Sequence, residues 1–235
     1  MPEGSLPDLT LAVDGYGQSK AVAALLLERA NRTLGVSGAV CRLGQIAGPV
    51  ERRKGWWNRH EWLPTVIAAS RRLGLLPSDL AALGTIDWIP VDLTAKILIE
   101  LAFADSDENG GESDELDYPL HRAAGMRTFH VVNTKVCHWQ DLLPAVRDHL
   151  GGAVRVVPFR DWVAALDREA CDGADDINPG AKLVDFFRGL LRSMDAGREY
   201  TRLDTRMTER HTKTLRELGP VTEEWMRIWL KQWDF

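Results

Sequence analysis

The chain has 235 residues, 45% of them hydrophobic and 27% charged, with a formal net charge of −5. These values are typical of a globular protein with a packed core, and the acidic balance argues against binding to nucleic acid. No apolar run is long enough to cross a membrane, and the first residues lack the basic and apolar regions of a secretory signal. We therefore expect a cytoplasmic protein that binds neither nucleic acid nor membrane, and the three scattered cysteines predict neither a disulfide framework nor a metal site.

Helices and strands alternate in the first part of the sequence. Apolar spacing and turn residues predict helices over 15–34, 60–73, 92–103 and 138–150. Between them, short apolar runs predict strands over 36–43, 85–91, 127–133 and 154–158. Asp92 is expected to be the N-cap of its helix, and the segment 75–83 is expected to be irregular. This alternation predicts an α/β fold.

After residue 158 the sequence predicts helices almost throughout. They are expected over 161–171, 181–194, 204–218 and 222–233. Trp225, Trp229 and Trp233 recur at four-residue spacing in the last helix, so we expect its apolar face to pack on the protein, with a partner or a membrane surface as the alternative. The stretch 105–117 contains seven acidic residues and is expected to be a surface loop.

The sharpest motif is a Tyr-x-x-x-Lys at the start of the first helix, formed by Tyr16 and Lys20. A spacing of four residues places the two side chains on one face of a helix. An ammonium beside a phenol favours the phenolate, and the tyrosine can then exchange a proton with a carbonyl or alkoxide oxygen. Hydride transfer to a carbonyl needs such a donor. The alternative is a surface pair that contributes only a few tenths of a kcal/mol.

The segments around this motif form a longer pattern. After the first helix and strand come a Gly-rich loop at 42–49 (RLGQIAGP), Trp57-Asn58, 86–92 (IDWIPVD), 129–133 (FHVVN) and 137–139 (CHW). This succession resembles the terminal reductase domains of fungal non-ribosomal peptide synthetases, polyketide synthases and adenylate-forming (carboxylic acid) reductases, which belong to the extended short-chain dehydrogenase/reductase family. The resemblance covers nearly the whole chain.

The resemblance implies an NADPH-dependent enzyme that reduces an acyl thioester on the phosphopantetheine arm of a carrier protein, normally in the same longer polypeptide, and releases an aldehyde or alcohol. On the matching positions, Tyr16 would be the proton donor, and Lys20 would bind the nicotinamide ribose and tune Tyr16. The resemblance further implies that a turn lies along the nicotinamide (Leu43, Gly44, Gln45 and Ile46) and that three residues wall the acyl and pantetheine pocket (Trp57, Asn58 and Trp88).

Two departures from the family pattern shape the fold prediction. No glycine-rich dinucleotide fingerprint occurs in the sequence, and neither Ser5 nor Thr10 lies in the strand-like context of the family's catalytic Ser or Thr. We therefore expect the distal half of a Rossmann-like reductase without its nucleotide-binding half, inactive alone. Residues 1–158 would form the partial core with the acidic loop, and residues 159–235 a helical substrate-binding subdomain.

Two other functions remain open on the sequence alone. The chain could be a non-catalytic module that binds a carrier protein or an acyl substrate. It could also be an extended-family epimerase or dehydratase acting on a nucleotide sugar, which would share Tyr16 and Lys20, although the Trp-rich loop favours an apolar acyl substrate. His130, Cys137 and His138 cluster in sequence without a metal-ligand spacing, so we expect no metal there.

Overall fold

The structure is a computed structural model that describes residues 1–12, 15–51, 55–104, 126–171, 180–197 and 201–233. The predicted acidic loop at 105–117 lies outside these ranges. The helices are α1 Gly15–Leu34, α2 Trp62–Leu73, α3 Val91–Phe103, α4 Trp139–His149, α5 Phe159–Cys171, α6 Val184–Asp195, α7 Arg206–His211, α8 Lys213–Glu217 and α9 Glu223–Trp233. The strands are β1 Ala39–Leu43, β2 Ile46–Ala47, β3 Leu75–Pro77, β4 Thr85–Ile86, β5 Ile89–Pro90, β6 Arg127–Val131, β7 Cys137–His138 and β8 Arg155–Val157. The predicted α/β class is confirmed.

The chain forms two compact units, each assembled from three stretches of sequence. The first unit comprises Met1–Gln45, Leu93–Asn133 and Arg202–Leu218, and the second comprises Ile46–Asp92, Thr134–Thr201 and Gly219–Phe235. The expected division of roles between 1–158 and 159–235 stays a prediction. In the ranges that the structure describes, no helix is long and apolar enough to cross a membrane.

The first unit is built around a parallel pair of strands. β1 pairs with β6 in a register that runs from Ala39 opposite Arg127 to Leu43 opposite Val131. α1 matches its predicted bounds, and the strand after it starts three residues later than predicted.

The predicted single helix over 204–218 is wrong, because Thr212 is extended (φ −132°, ψ 114°) and separates α7 from α8. The Glu100 carboxylate accepts hydrogen bonds from the Thr214 N–H and hydroxyl and so stabilises the start of α8.

The second unit contains three small two-stranded sheets among its described residues. β2 and β5 are parallel, β3 and β8 are parallel, and β4 and β7 are antiparallel. The segment 75–83, expected to be irregular, provides β3, because Leu76 is buried when this strand pairs with β8. Asp92 is not the N-cap of α3 but lies inside it, and its carboxylate accepts hydrogen bonds from the Val50 and Glu51 amides.

A cluster of tryptophans forms much of the core of the second unit. Trp229 and Trp233 of α9 are fully buried, and α9 packs on α4. The Trp229 indole donates to the Gly48 carbonyl at 2.9 Å, and the Trp233 indole donates to the Trp57 carbonyl at 3.1 Å. The predicted packing of the last helix on the protein is therefore confirmed.

Candidate active site

α1 brings together the two residues of the Tyr-x-x-x-Lys motif. The Lys20 ammonium lies 5.3 Å from the centre of the Tyr16 ring, as the four-residue spacing predicts. Both side chains are exposed, Tyr16 by 74%. Lys20 forms no ion pair with any described carboxylate. The phenol and the ammonium are thus next to each other, and both are accessible to a ligand.

Tyr16 and Lys20 line a cleft of about 650 Å³ between α1 and β1. Arg42 and Leu43 at the end of β1 line the same cleft, and Gly44 follows directly along the chain. Most of the remaining lining is apolar and comes from α1. The cleft therefore combines an apolar wall with a few polar donors, as small-molecule sites commonly do.

The absence of a side chain at Gly44 allows Val132 to lie close to the backbone at the end of β1. A Cβ added at Gly44 would lie 2.8 Å from Cγ1 of Val132, and the Gly44 N–H donates to the Val131 carbonyl at 3.0 Å. The missing side chain therefore makes room for Val132. Gln45 is the last residue of the first unit, and Ile46 lies in the second unit, where it pairs with Ile89.

The chemistry of the cleft fits the ribose of a nicotinamide cofactor. Lys20 offers three N–H donors and Tyr16 offers a hydroxyl, and both groups can bind ribose hydroxyls. No glycine-rich loop for a pyrophosphate is present in the sequence. The residues of this cleft therefore fit the nicotinamide end of such a cofactor, whereas the sequence offers no glycine-rich motif for its diphosphate.

A hydrogen bond between the half-buried Arg42 and the buried His130 supports the end of β1. His130 on β6 is fully buried, and its Nε2 accepts a hydrogen bond from the Arg42 guanidinium at 3.0 Å. The ring's Nδ1 then donates to the Asp204 carbonyl at 2.7 Å, so His130 is neutral. Burial lowers the pKa of His130, and the Arg42 charge acts in the same direction. Burial also lowers the pKa of the Arg42 guanidinium, which Glu28 partly offsets.

The N-terminal segment forms hydrogen bonds with both Arg42 and His130. Arg42 also donates to the Gly4 carbonyl at 2.9 Å. The Glu3 carboxylate accepts hydrogen bonds from the amides of His130, Met207 and Thr208 and from the Thr208 hydroxyl. Sequence reasoning missed these contacts. A single acid in an irregular segment gives no periodic signal, and its partners lie more than a hundred residues away.

Cys137 and His138, which cluster with His130 in the sequence, have structural roles. His138 is the N-cap of α4 and forms a capping box with Asp141. Cys137 is half-buried, and burial, assisted by the Asp141 charge, raises the pKa of its thiol to about 11. Over the ranges that the structure describes, no group of three or more His, Cys, Asp and Glu residues could hold a metal ion.

The residues predicted to wall an acyl pocket lie in the second unit. Trp57 and Trp88 are 3% and 2% exposed, and their rings meet edge to face with centroids 5.4 Å apart. The Trp57 indole donates to the Glu61 carboxylate at 2.7 Å. Asn58 is exposed, and its side-chain oxygen accepts a hydrogen bond from the His60 amide. The structure thus brings Trp57 and Trp88 together, and the substrate role of all three stays a prediction.

Comparisons with known proteins identify relatives along the whole chain. The model of an NAD-binding domain family described as "Male sterility protein" matches residues 7–98. A carboxylic acid reductase of Neurospora crassa is 40% identical over 238 residues, covering 100% of this chain and 21% of the relative. A 3-methylorcinaldehyde synthase of Talaromyces stipitatus is 32% identical over 238 residues, covering 99% of this chain and 8% of the relative. The chain thus spans about a fifth or less of the length of these relatives.

The fold agrees with these sequence relatives. The terminal R domain from the myxalamid PKS-NRPS biosynthetic pathway matches with a TM-score of 0.70 at 20% identity, over 99% of this chain and 53% of that chain. At this identity the likeness shows the fold, which is that of the reductase domains in the extended short-chain dehydrogenase/reductase family. The resemblance found in the sequence is therefore confirmed, and the chain belongs to the family of terminal reductase domains of carboxylic acid reductases, polyketide synthases and non-ribosomal peptide synthetases.

Proposed function

We propose that this chain provides the proton-donating part of an NADPH-dependent reductase that releases a carrier-bound acyl thioester as an aldehyde or alcohol. The observation that supports this proposal most directly is the contact between Lys20 and Tyr16 in a cleft bounded by the end of β1. When bound, the cofactor would supply the hydride. The residues of this chain would bind and orient the reactants and deliver the proton.

In this proposal the Tyr16 hydroxyl donates its proton to the oxygen of the acyl carbonyl as that oxygen gains negative charge. The Lys20 ammonium stabilises the phenolate that remains, and its other N–H groups hold the nicotinamide ribose. Leu43 and the turn after it, Gly44, Gln45 and Ile46, would lie along the nicotinamide.

The substrate assignments extend the proposal to the second unit. Trp57, Asn58 and Trp88 would help to wall the acyl and pantetheine pocket, with the exposed Asn58 at its surface and the two buried rings behind it. The partner would be a carrier protein with a phosphopantetheine arm, within a longer polypeptide in the cytoplasm. Support comes from the relatives, which are several times longer than this chain. We expect the chain alone to show no turnover, because its sequence lacks the glycine-rich motif that would hold the cofactor diphosphate.

A chimera with the Neurospora crassa relative tests this function. The region of that carboxylic acid reductase that matches this chain would be replaced by it, and NADPH consumption would be measured with a carboxylic acid substrate. We expect activity, with Tyr16→Phe lowering kcat by about 10²–10⁴-fold because the general acid is lost. Arg32→Ala, an exposed change at the other end of α1, is the matched control and should leave kcat unchanged.

The same chimera distinguishes the alternatives. A folded Tyr16→Phe chimera with full kcat would refute the role of the tyrosine. A chimera that binds the loaded carrier domain but never consumes NADPH would instead favour the non-catalytic module. Thermal unfolding of this chain alone, carrying the same substitution and followed by far-ultraviolet circular dichroism, shows whether each variant is folded.

A further inference from the structure

A groove in the second unit lies between α5 and the small sheet formed by β3 and β8. Its volume is about 470 Å³, which is within the range of small-molecule sites. The residues that line it are four apolar and three charged ones (Leu75, Val156, Val157 and Ala164, with Arg155, Asp161 and Arg168). None of them belongs to the Tyr-x-x-x-Lys motif or to the predicted acyl pocket, so the proposed reaction gives this groove no role.

Arg155 and Arg168 lie at the same end of the groove. The Arg155 N–H donates to the Gly74 carbonyl at 2.9 Å, which places the start of β8 beside the end of α2. Arg72, in the last turn of α2, forms an ion pair with Glu169, the residue that follows Arg168. The start of β8 and the end of α5 are therefore both next to the end of α2, and the two exposed guanidinium groups share that end of the groove.

The charges of these two arginines are not compensated within the second unit. In the part of the chain that the structure describes, neither Arg155 nor Arg168 forms an ion pair with a carboxylate, whereas Arg160 of the same helix pairs with Asp195. Asp161 lines the groove but precedes Arg168 by about two helical turns, which is about 10 Å along the axis. The end of the groove that holds the two arginines therefore has a positive potential that favours an anion.

The chemistry of this end fits a phosphate group. A guanidinium binds phosphate through paired N–H groups and keeps its charge at every physiological pH. A phosphate monoester carries a charge of about −1.5 to −2 and three strong acceptor oxygens, so one group can bond to both arginines. Leu75, Val157 and Ala164 line the same groove and fit apolar groups attached to that phosphate.

We propose that this groove is a binding site for an organic phosphate, in which Arg155 and Arg168 bind the phosphate and Val157 and Ala164 contact the apolar part of the ligand. The proposal does not rest on the proton transfer assigned to Tyr16, which belongs to the first unit. Two classes of ligand carry this chemistry, a phosphopantetheine arm and a nucleotide, and the experiment distinguishes them.

Calorimetry with this chain compares two phosphates with the same molecules without phosphate. The probes are 4′-phosphopantetheine against pantetheine, and adenosine 5′-monophosphate against adenosine. We expect at least one of the two phosphates to bind at least about tenfold more tightly than its counterpart, because only the phosphate bonds to the guanidinium groups. The phosphate that binds more tightly identifies the class of ligand. Added salt should weaken its binding, since both groups are exposed.

Substitutions locate the site. Arg155→Gln and Arg168→Gln should each weaken binding of that phosphate at least about tenfold, because each removes charge-assisted hydrogen bonds. Arg192→Gln on α6 is the matched control: it removes an exposed arginine that does not line the groove and should leave the affinity unchanged. Because all three side chains are exposed, the midpoints of thermal unfolding should not change, and a loss of affinity then reports on binding.

The outcomes separate this inference from the proposed function. If neither phosphate binds more tightly than its counterpart, phosphate recognition is refuted. An equal loss of affinity in Arg192→Gln and in the two groove variants would refute the location. A triglutamate peptide that binds more tightly than either phosphate would assign the groove to an acidic protein segment and would also overturn the proposal. Phosphate binding in the groove without NADPH turnover by the chimera would keep this site and refute the catalytic proposal alone.

Discussion

Gly48→Ala tests how tightly the tryptophan cluster of the second unit is packed. A Cβ at this position would lie 2.7 Å from Cδ1 of Trp229 and 3.1 Å from both Nε1 of that ring and Oε1 of Gln232. The shortest distance is 0.7 Å less than the 3.4 Å at which ordinary contact begins. Trp229 is fully buried and meets Trp57 edge to face at 5.2 Å, so a shift of the ring would disturb its packing against Trp57.

The expected loss of stability follows from this overlap. Overfilling a packed core costs about 1–3 kcal/mol, and replacing a glycine recovers about 0.4–1 kcal/mol by restricting the unfolded chain. If the shift also breaks the hydrogen bond from Trp229 to the Gly48 carbonyl, a buried indole N–H loses its acceptor at a cost of about 1–3 kcal/mol. We therefore expect a net destabilisation of about 2 kcal/mol.

Urea unfolding followed by tryptophan emission measures this effect, because every tryptophan lies in the second unit. With a slope of about 2 kcal/mol per molar urea, the midpoint should fall by about 1 M. Gly219→Ala is the matched control: it lies in the same unit, and a Cβ there meets no atom within 4 Å. Equal midpoints for the two variants would refute the packing argument.

Three further predictions concern buried polar contacts. Burial lowers the pKa of His130 below its ordinary 6.5, so the stability that the neutral ring provides is complete above that value and is lost as the pH falls. Protection factors for amide exchange along β6, which remove the intrinsic pH dependence of exchange, should therefore fall as the pH decreases below about 6.5, and less so in His130→Gln. Glu3→Gln should destabilise the first unit by about 1–2 kcal/mol, because a carboxylate that accepts several N–H donors is lost; exchange of the first α7 amides measures it, and exposed Glu217→Gln should have no effect. Trp162→Phe should cost about 2–4 kcal/mol, since Ser70 is fully buried and receives the indole N–H at 3.0 Å. A double-mutant cycle with Ser70→Ala should give a coupling of about 1 kcal/mol.

Local patterns in the sequence predicted most of the helices, and tertiary contacts explain the exceptions. α1 ends as predicted, at the residue before Gly35. The break at Thr212 has no local signal, because it depends on Glu100, which is distant in sequence and binds the next turn. β3 was missed because a three-residue strand is set by its pairing with β8 rather than by its own periodicity.

The candidate site also contains one contact that the sequence predicts and one that it does not. The contact between Tyr16 and Lys20 follows from helical spacing alone, so the sequence was sufficient to predict it. The supporting pair of Arg42 and His130 could not be predicted, because it joins two strands whose register is visible only in the fold. A histidine inside an apolar strand was the one available signal, and it indicates a buried ring without naming its partner.

The two units differ in how well their own residues bury the side chains discussed above. The second unit buries four of its tryptophans against one another (Trp57, Trp88, Trp229 and Trp233). The indole N–H groups of Trp57, Trp229 and Trp233 donate to acceptors in the same unit. The first unit places the candidate proton donor on α1, a helix with no buried residue. Elements with few buried contacts are those that open at low free energy. The candidate proton donor therefore lies on an element that is expected to open at low free energy.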